Sequence, residues 1–155
     1  MLAVACSVAL SSCASTNESA TMDLQTAKGI AMAMEDETAL LVPPEDVADQ
    51  THMKSSFLLG CTDETYQWSG RTILTFSGEV DTQGIVDRIA AAWKVKEGVT
   101  VEEDDTTGDD AQVDMRVATG GFYNAAIWNS GTQLYITSFS PCFELEGGTK
   151  PGMKY

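Results

Sequence analysis

Between residues 99 and 140 the chain alternates apolar and polar side chains in run after run, and each break carries turn chemistry. No other feature restricts the fold as much. Val99 and Val101 alternate first, and residues 102–110 (EEDDTTGDD) turn the chain. Val113, Met115 and Val117 alternate on the way back, and Gly120-Gly121 turns it again. Residues 122–128 and 133–140 follow, joined by Asn129-Ser130-Gly131-Thr132, a strong hairpin signal. Short runs of period two joined by turns most often pair with their neighbours in sequence. The expectation is a C-terminal antiparallel meander of four strands.

The first half has a different period. Thr21 or Asp23 can cap a helix reaching about Leu40, with Leu24, Ala27, Ile30, Ala31 and Met34 at helical spacing; Pro43-Pro44 ends it. Residues 43–54 (PPEDVADQTHMK) read as an extended acidic loop. Residues 56–61 predict a short strand with Phe57, Leu59 and Cys61 on one face. Residues 66–77 predict another, interrupted at Ser69-Gly70, with Thr72, Leu74 and Phe76 on one face and Ile73 and Thr75 on the other. Asp81 caps a second helix through about Lys96, its stripe being Ile85, Ile89 and Trp93, and Gly98 stops it. A length of 155 residues suits one domain. The expected fold class is α+β: an antiparallel β-sheet of about five or six strands with two helices packed on one face.

Charge narrows the partners. With 23 acidic residues against 9 basic ones the net charge is −14, which excludes a general nucleic-acid binder. The same balance argues against electrostatic docking of the molecule on anionic lipid headgroups.

The N-terminus reads as an address. Residues 1–10 (MLAVACSVAL) are apolar and uncharged, and residues 14–21 (ASTNESAT) are small and polar. That is the form of a secretory segment with its cleavage site. Leu10-Ser11-Ser12-Cys13 resembles a bacterial lipobox, an apolar and two small residues before a cysteine. The resemblance implies a signal peptide over residues 1–12, acyl chains on Cys13 (palmitate is the expected kind), and a tether over 13–21 leading to a single domain at 22–155. Two acyl chains anchor stably where one binds marginally. The alternative is a plain secretory signal cut near Ser12, leaving Cys13 a free thiol.

Of four cysteines, Cys6 would leave with the signal and Cys13 would carry lipid. Cys61 and Cys142 remain, an even pair in an oxidising compartment, and a disulfide is expected between them. A metal or redox pair is the alternative, though the spacing is wide and no CxxC occurs.

With the lipobox and this order of elements, the chain resembles small actinobacterial cell-envelope lipoproteins of the LppA-like kind. The residues that carry the likeness are Leu59-Gly60-Cys61, Trp68-Ser69-Gly70-Arg71, the helix ending near Trp93, and residues 134–142 (LYITSFSPC). The likeness covers most of residues 22–143. It implies an envelope location and a Cys61–Cys142 bridge, and no activity. The uncharged leader and the long acidic loop after the first helix depart from the pattern.

Chemistry-bearing residues are few. His52 is the lone histidine, so any Ser–His–Asp or Cys–His unit would have to use it, yet it lies in a polar stretch without a GxSxG context. It reads as a solvated loop residue. Asp104, Asp105, Asp109 and Asp110 crowd one turn, as Ca²⁺ sites do, but the DxDxDG spacing fails. They make a weak cation site at most, and no metal or other cofactor is expected. Met32, Met34 and Met53 near His52 suit Cu(I) but fit core packing better. Among the strand aromatics Tyr66, Trp68, Tyr123, Trp128 and Tyr135, alternation sends about half inward. Tyr66 and Trp68, with Arg71, are the expected exposed partner patch.

No catalytic set stands out, and the chain is not expected to be an enzyme. The expected role is a binding or interaction module, lipid-anchored on the extracytoplasmic face of the cell membrane, with a protein or envelope component as partner. Its alternatives are an acidic immunity or exclusion-type inhibitor of a cationic partner, a small-ligand or lipid carrier with an apolar cavity between sheet and helices, and an envelope enzyme.

Overall fold

The computed structural model describes residues 22–104, 106–147, 150 and 152–155. The expected signal peptide, Cys13 and the expected tether lie outside these residues, as does Asp105. Asp23 caps the first helix, α1 (Leu24–Ala39), its carboxylate accepting from the Thr26 N–H at 2.7 Å. That backbone hydrogen bond holds the Asp23 carboxyl below its ordinary range. Asp81 caps α2 (Thr82–Lys94), its carboxylate accepting from the Gly84 N–H at 2.9 Å. The α2 stripe Ile85, Ile89 and Trp93 is buried as its spacing predicts.

The strands in chain order are β1 (Val47–Met53), β2 (Leu58–Gly60), β3 (Thr65–Phe76), β4 (Val99–Glu103), β5 (Gln112–Val117), β6 (Phe122–Trp128), β7 (Gln133–Phe139) and β8 (Phe143–Glu144). They form an antiparallel sheet in the order β1-β3-β7-β6-β5-β4, and β4 to β7 are the expected meander. Long β3 is the spine. Its second half pairs with β1 and β7, and its first residues pair with β2 on one side and β8 on the other. Asn129 and Ser130, both at φ 53°, and Gly131 at φ 78° make the β6–β7 turn.

Register puts Thr72, Leu74 and Phe76 of β3 on the same face as Leu134 and Ile136 of β7 and Tyr123, Ala125 and Ile127 of β6. These residues are buried, and both helices lie over them. One core cluster joins them to the α2 stripe; a second gathers Ala27, Ala31, Leu58, Trp68 and Phe143 under the start of α1. The class is α+β with both helices on one face of the sheet.

Three local expectations are corrected. Residues 47–53 are not loop but the edge strand β1, and its burial is shallow, so its sequence carries no apolar alternation. His52 is accordingly a strand residue. In β2 it is Leu58 that turns inward, leaving Phe57 and Leu59 half exposed, because Leu58 pairs with buried Trp68. β3 runs unbroken through Ser69-Gly70.

Candidate functional site: the open face of the sheet

Cys61 and Cys142 lie at disulfide distance, with S–S 2.05 Å, tying the β2–β3 turn to the segment between β7 and β8. The bridge secures the smaller core cluster and holds no chemistry for a ligand.

The most conspicuous titratable group is Glu35 on α1, only 1% exposed. The hydroxyls of Ser138 and Thr72 donate to its two oxygens, the latter at 2.7 Å. With Thr72 so committed, His52 Nδ1 donates to the Thr72 hydroxyl at 2.9 Å, and the Gln50 amide nitrogen stands 3.0 Å from His52 Nε2. Asp36 stands 3.7 Å from His52 Nδ1. Burial pushes the Glu35 carboxyl up, while the Ser138 and Thr72 hydrogen bonds and His52 pull it back. Tyr123 is pushed up to about 12, mostly by its own burial and further by Glu35. A Cβ at Gly70 would run into Glu35 Oε1 and the Trp68 ring, so this glycine admits the carboxyl to the sheet. The network fastens α1 to β3 and β7. Beside it a cleft of about 600 Å³ between α1 and β1 is lined by Ala39, Leu40, Val42, Pro44, Val47 and Leu74, with Asp36 and Gln50 as its polar wall.

The opposite face of the sheet carries a different set. Odd-numbered β3 positions face away from the helices, and register extends them into rows across the strands. One row reads Thr51, Ile73, Tyr135, Ala126, Gln112; the next Met53, Arg71, Thr137, Asn124, Asp114, Glu102; a third Ser69, Phe139, Phe122, Arg116, Thr100. Trp128 stands above the first row, opposite Gln133. It is 54% exposed, far more than a tryptophan in packing would be. Its ring stacks on Tyr135 at 5.5 Å between centroids, and the Arg71 guanidinium lies 5.2 Å from the same tyrosine. Phe122 and Phe139 sit 5.8 Å apart, with Arg116 4.7 Å over Phe122. Two of the chain's three arginines are therefore on this face. Arg71 Nε is buried without a hydrogen-bond partner among the described residues. Asn124 donates to Asp114 at 2.8 Å, fixing the polar middle of the face.

The expected patch of Tyr66, Trp68 and Arg71 is not assembled. Tyr66 and Trp68 are even-numbered positions of β3 and turn to the helix side, where Trp68 is fully buried and donates through Nε1 to the Tyr155 carbonyl at 3.0 Å. Only Arg71 reaches the open face. Its companions, Tyr135 and Trp128, come from the meander, and period-two counting from Arg71 through the strand pairs would have found them. Tyr123 is buried with the core. Of the acidic turn, Asp109 and Asp110 are exposed on a 3-10 turn, while Asp104 accepts from Gln112 at 2.6 Å. Among the described residues no three His, Cys, Asp or Glu side chains are disposed to hold a metal ion. Along the border of the open face, Glu102, Glu103, Asp104 and Asp114 line a shallow acidic cleft with Gln112. Comparison of the chain with protein-family models, with curated proteins and with solved structures returns no match.

Proposed function

We propose that this chain is an extracytoplasmic binding module, held at the cell membrane by lipid on Cys13, whose open sheet face receives a protein or another component of the envelope. The observation that carries it is the aromatic and arginine array of Trp128, Tyr135, Arg71, Phe122, Phe139 and Arg116 on a face that both helices leave bare. Aromatic and arginine side chains supply most anchor energy at interfaces, because they bury large areas at small entropic cost. The lipobox resemblance at Cys13 and the Cys61–Cys142 pair support an exported location.

A photo-crosslinking residue at Thr137, in the middle of the open face, should capture a single envelope component in intact cells, and one at exposed Asp87 on α2 should not. Equal adducts from both positions, or none from Thr137, would discard the face as the binding surface. In the same cells Cys13→Ala should move protein from the membrane towards the soluble fraction, and mass analysis of the native chain should find acyl chains on Cys13; a bare Cys13 would discard the lipid anchor.

The acidic border along β4 and β5 favours a second reading, an immunity or exclusion-type inhibitor that meets a cationic partner. That version requires fast, strongly salt-sensitive association. A complex indifferent to salt would leave the aromatic face as its seat.

A further inference from the structure

The lysines are segregated. Lys94 and Lys96 each pair with a carboxylate, Glu103 and Glu37. The other four, Lys28, Lys54, Lys150 and Lys154, have no carboxylate within ion-pair distance among the described residues, and all four lie at one end of the molecule. Lys28 donates to the Lys54 carbonyl at 2.6 Å. Lys154 bridges to Phe57 and lies 5.1 Å over its ring. The Lys150 backbone is held by the Tyr155 hydroxyl at 2.8 Å, and Tyr155 in turn pairs with Ser56.

The same end is unusually apolar. Met53, Phe57, Leu59 and Met153 are 41–54% exposed, half of all the large hydrophobic side chains exposed on the described surface. The acids of this end lie towards β8: Asp63 and Glu64, in the β2–β3 turn, border a depression with Glu144, Glu146 follows β8, and Asp23 is occupied at the helix cap.

This is also where the N-terminal segment joins the fold. Met22 and Leu24 pack with Tyr155 on the smaller core cluster. The eight residues between Cys13 and Met22 reach at most about 28 Å. Resting on the lipid-anchor reading above, we infer that Lys28, Lys54, Lys150 and Lys154, with Phe57, Leu59 and Met153, form a second membrane contact that docks this end of the domain on an anionic phospholipid surface. Net charge averages over this segregation; a headgroup within a Debye length meets the local lysines, not the distant carboxylates. Each lysine near an anionic surface raises partitioning about fivefold, and the apolar side chains add interfacial burial. Docking this way places Trp128, at the opposite end of the strands beside Gln133, away from the bilayer.

The test separates the contact from the anchor by using full-length Cys13→Ala protein, which has no acyl chains, with phosphatidylglycerol vesicles and phosphatidylcholine vesicles. Cosedimentation should occur with the anionic vesicles and not the zwitterionic ones. Lys54→Gln and Lys154→Gln should each lower it about fivefold. Both side chains are exposed, so unchanged circular dichroism should show that the variants remain folded. Equal binding to both vesicles, or no effect of either substitution, would overturn the contact while leaving acylation standing. Conversely, a native chain whose Cys13 carries no acyl mass would remove the anchor while the vesicle result still stood. In cells, a photo-crosslinking residue at Phe57 should give lipid adducts and one at Trp128 should not. Protein adducts from Phe57 in place of lipid would also overturn it.

Discussion

Glu35 is the residue on which local logic and global logic differ most. Counting a helical stripe by hydrophobicity picks Leu24, Ala27, Ile30, Ala31 and Met34, yet Ile30 is 37% exposed and the buried line is Ala27, Ala31, Glu35, Thr38. The spacing was present in the sequence; the polarity of Glu35 hid it. What made burial possible lies far along the chain, in Thr72, Ser138 and Gly70, and no local pattern announces such partners. The site was therefore half legible: Arg71 was readable, and its neighbours Tyr135 and Trp128 needed strand order. Glu35 also sets a pH dependence. Its folded carboxyl titrates above the ordinary 4.5. Between the two values the folded chain holds a proton that the unfolded chain has released, so stability falls as pH rises. The contribution is fully present below the ordinary value and is lost as pH passes the raised one. Urea unfolding across acid to neutral pH should show this decline in the native chain. Glu35→Gln, which keeps the acceptor for one hydroxyl and cannot ionise, should be flatter across the same window. Parallel curves for the two would mean that Glu35 does not titrate where its burial places it.

At the scale of elements, the meander and both helices followed from period and capping, because each of those segments has one buried face and a clear stop. Two strands did not. β1 is an edge strand whose side chains are mostly exposed, so nothing selects apolar residues there; β8 is too short to alternate. Both are recruited by β3, whose length exceeds what β7 alone can pair. The first residues of β3 depend on β2, on β8 and on the Cys61–Cys142 link, with a sequence separation of 81 residues. Closing a loop of that size restricts the unfolded chain by about 4–5 kcal/mol in the chain-entropy model. Cys61→Ala with Cys142→Ala should lower stability by about 2–5 kcal/mol, and hydrogen exchange should rise first in β2, β8 and the start of β3. Loss confined to β4 and β5, where no part of the bridge is near, would contradict this division of labour.

At the scale of the whole molecule, charge acts in two opposed ways, and this separates folding from docking. A net charge of −14 on 155 residues destabilises the compact state by self-repulsion, since folding brings the carboxylates together. Salt screens that repulsion: the Debye length falls from about 30 Å at 0.01 M to about 8 Å at 0.15 M ionic strength. Thermal midpoints of the domain should accordingly rise with salt over this range. The lysine-rich end responds the other way, because attraction to an anionic surface is screened by the same ions, so vesicle binding should fall as the midpoint rises. Binding lost through unfolding would require the two to fall together. Opposite slopes in a single salt series would therefore show that the lysine cluster acts as a local cation on a globally acidic protein. Parallel slopes would mean that net charge governs both, and the end near Met22 would then have no electrostatic character of its own.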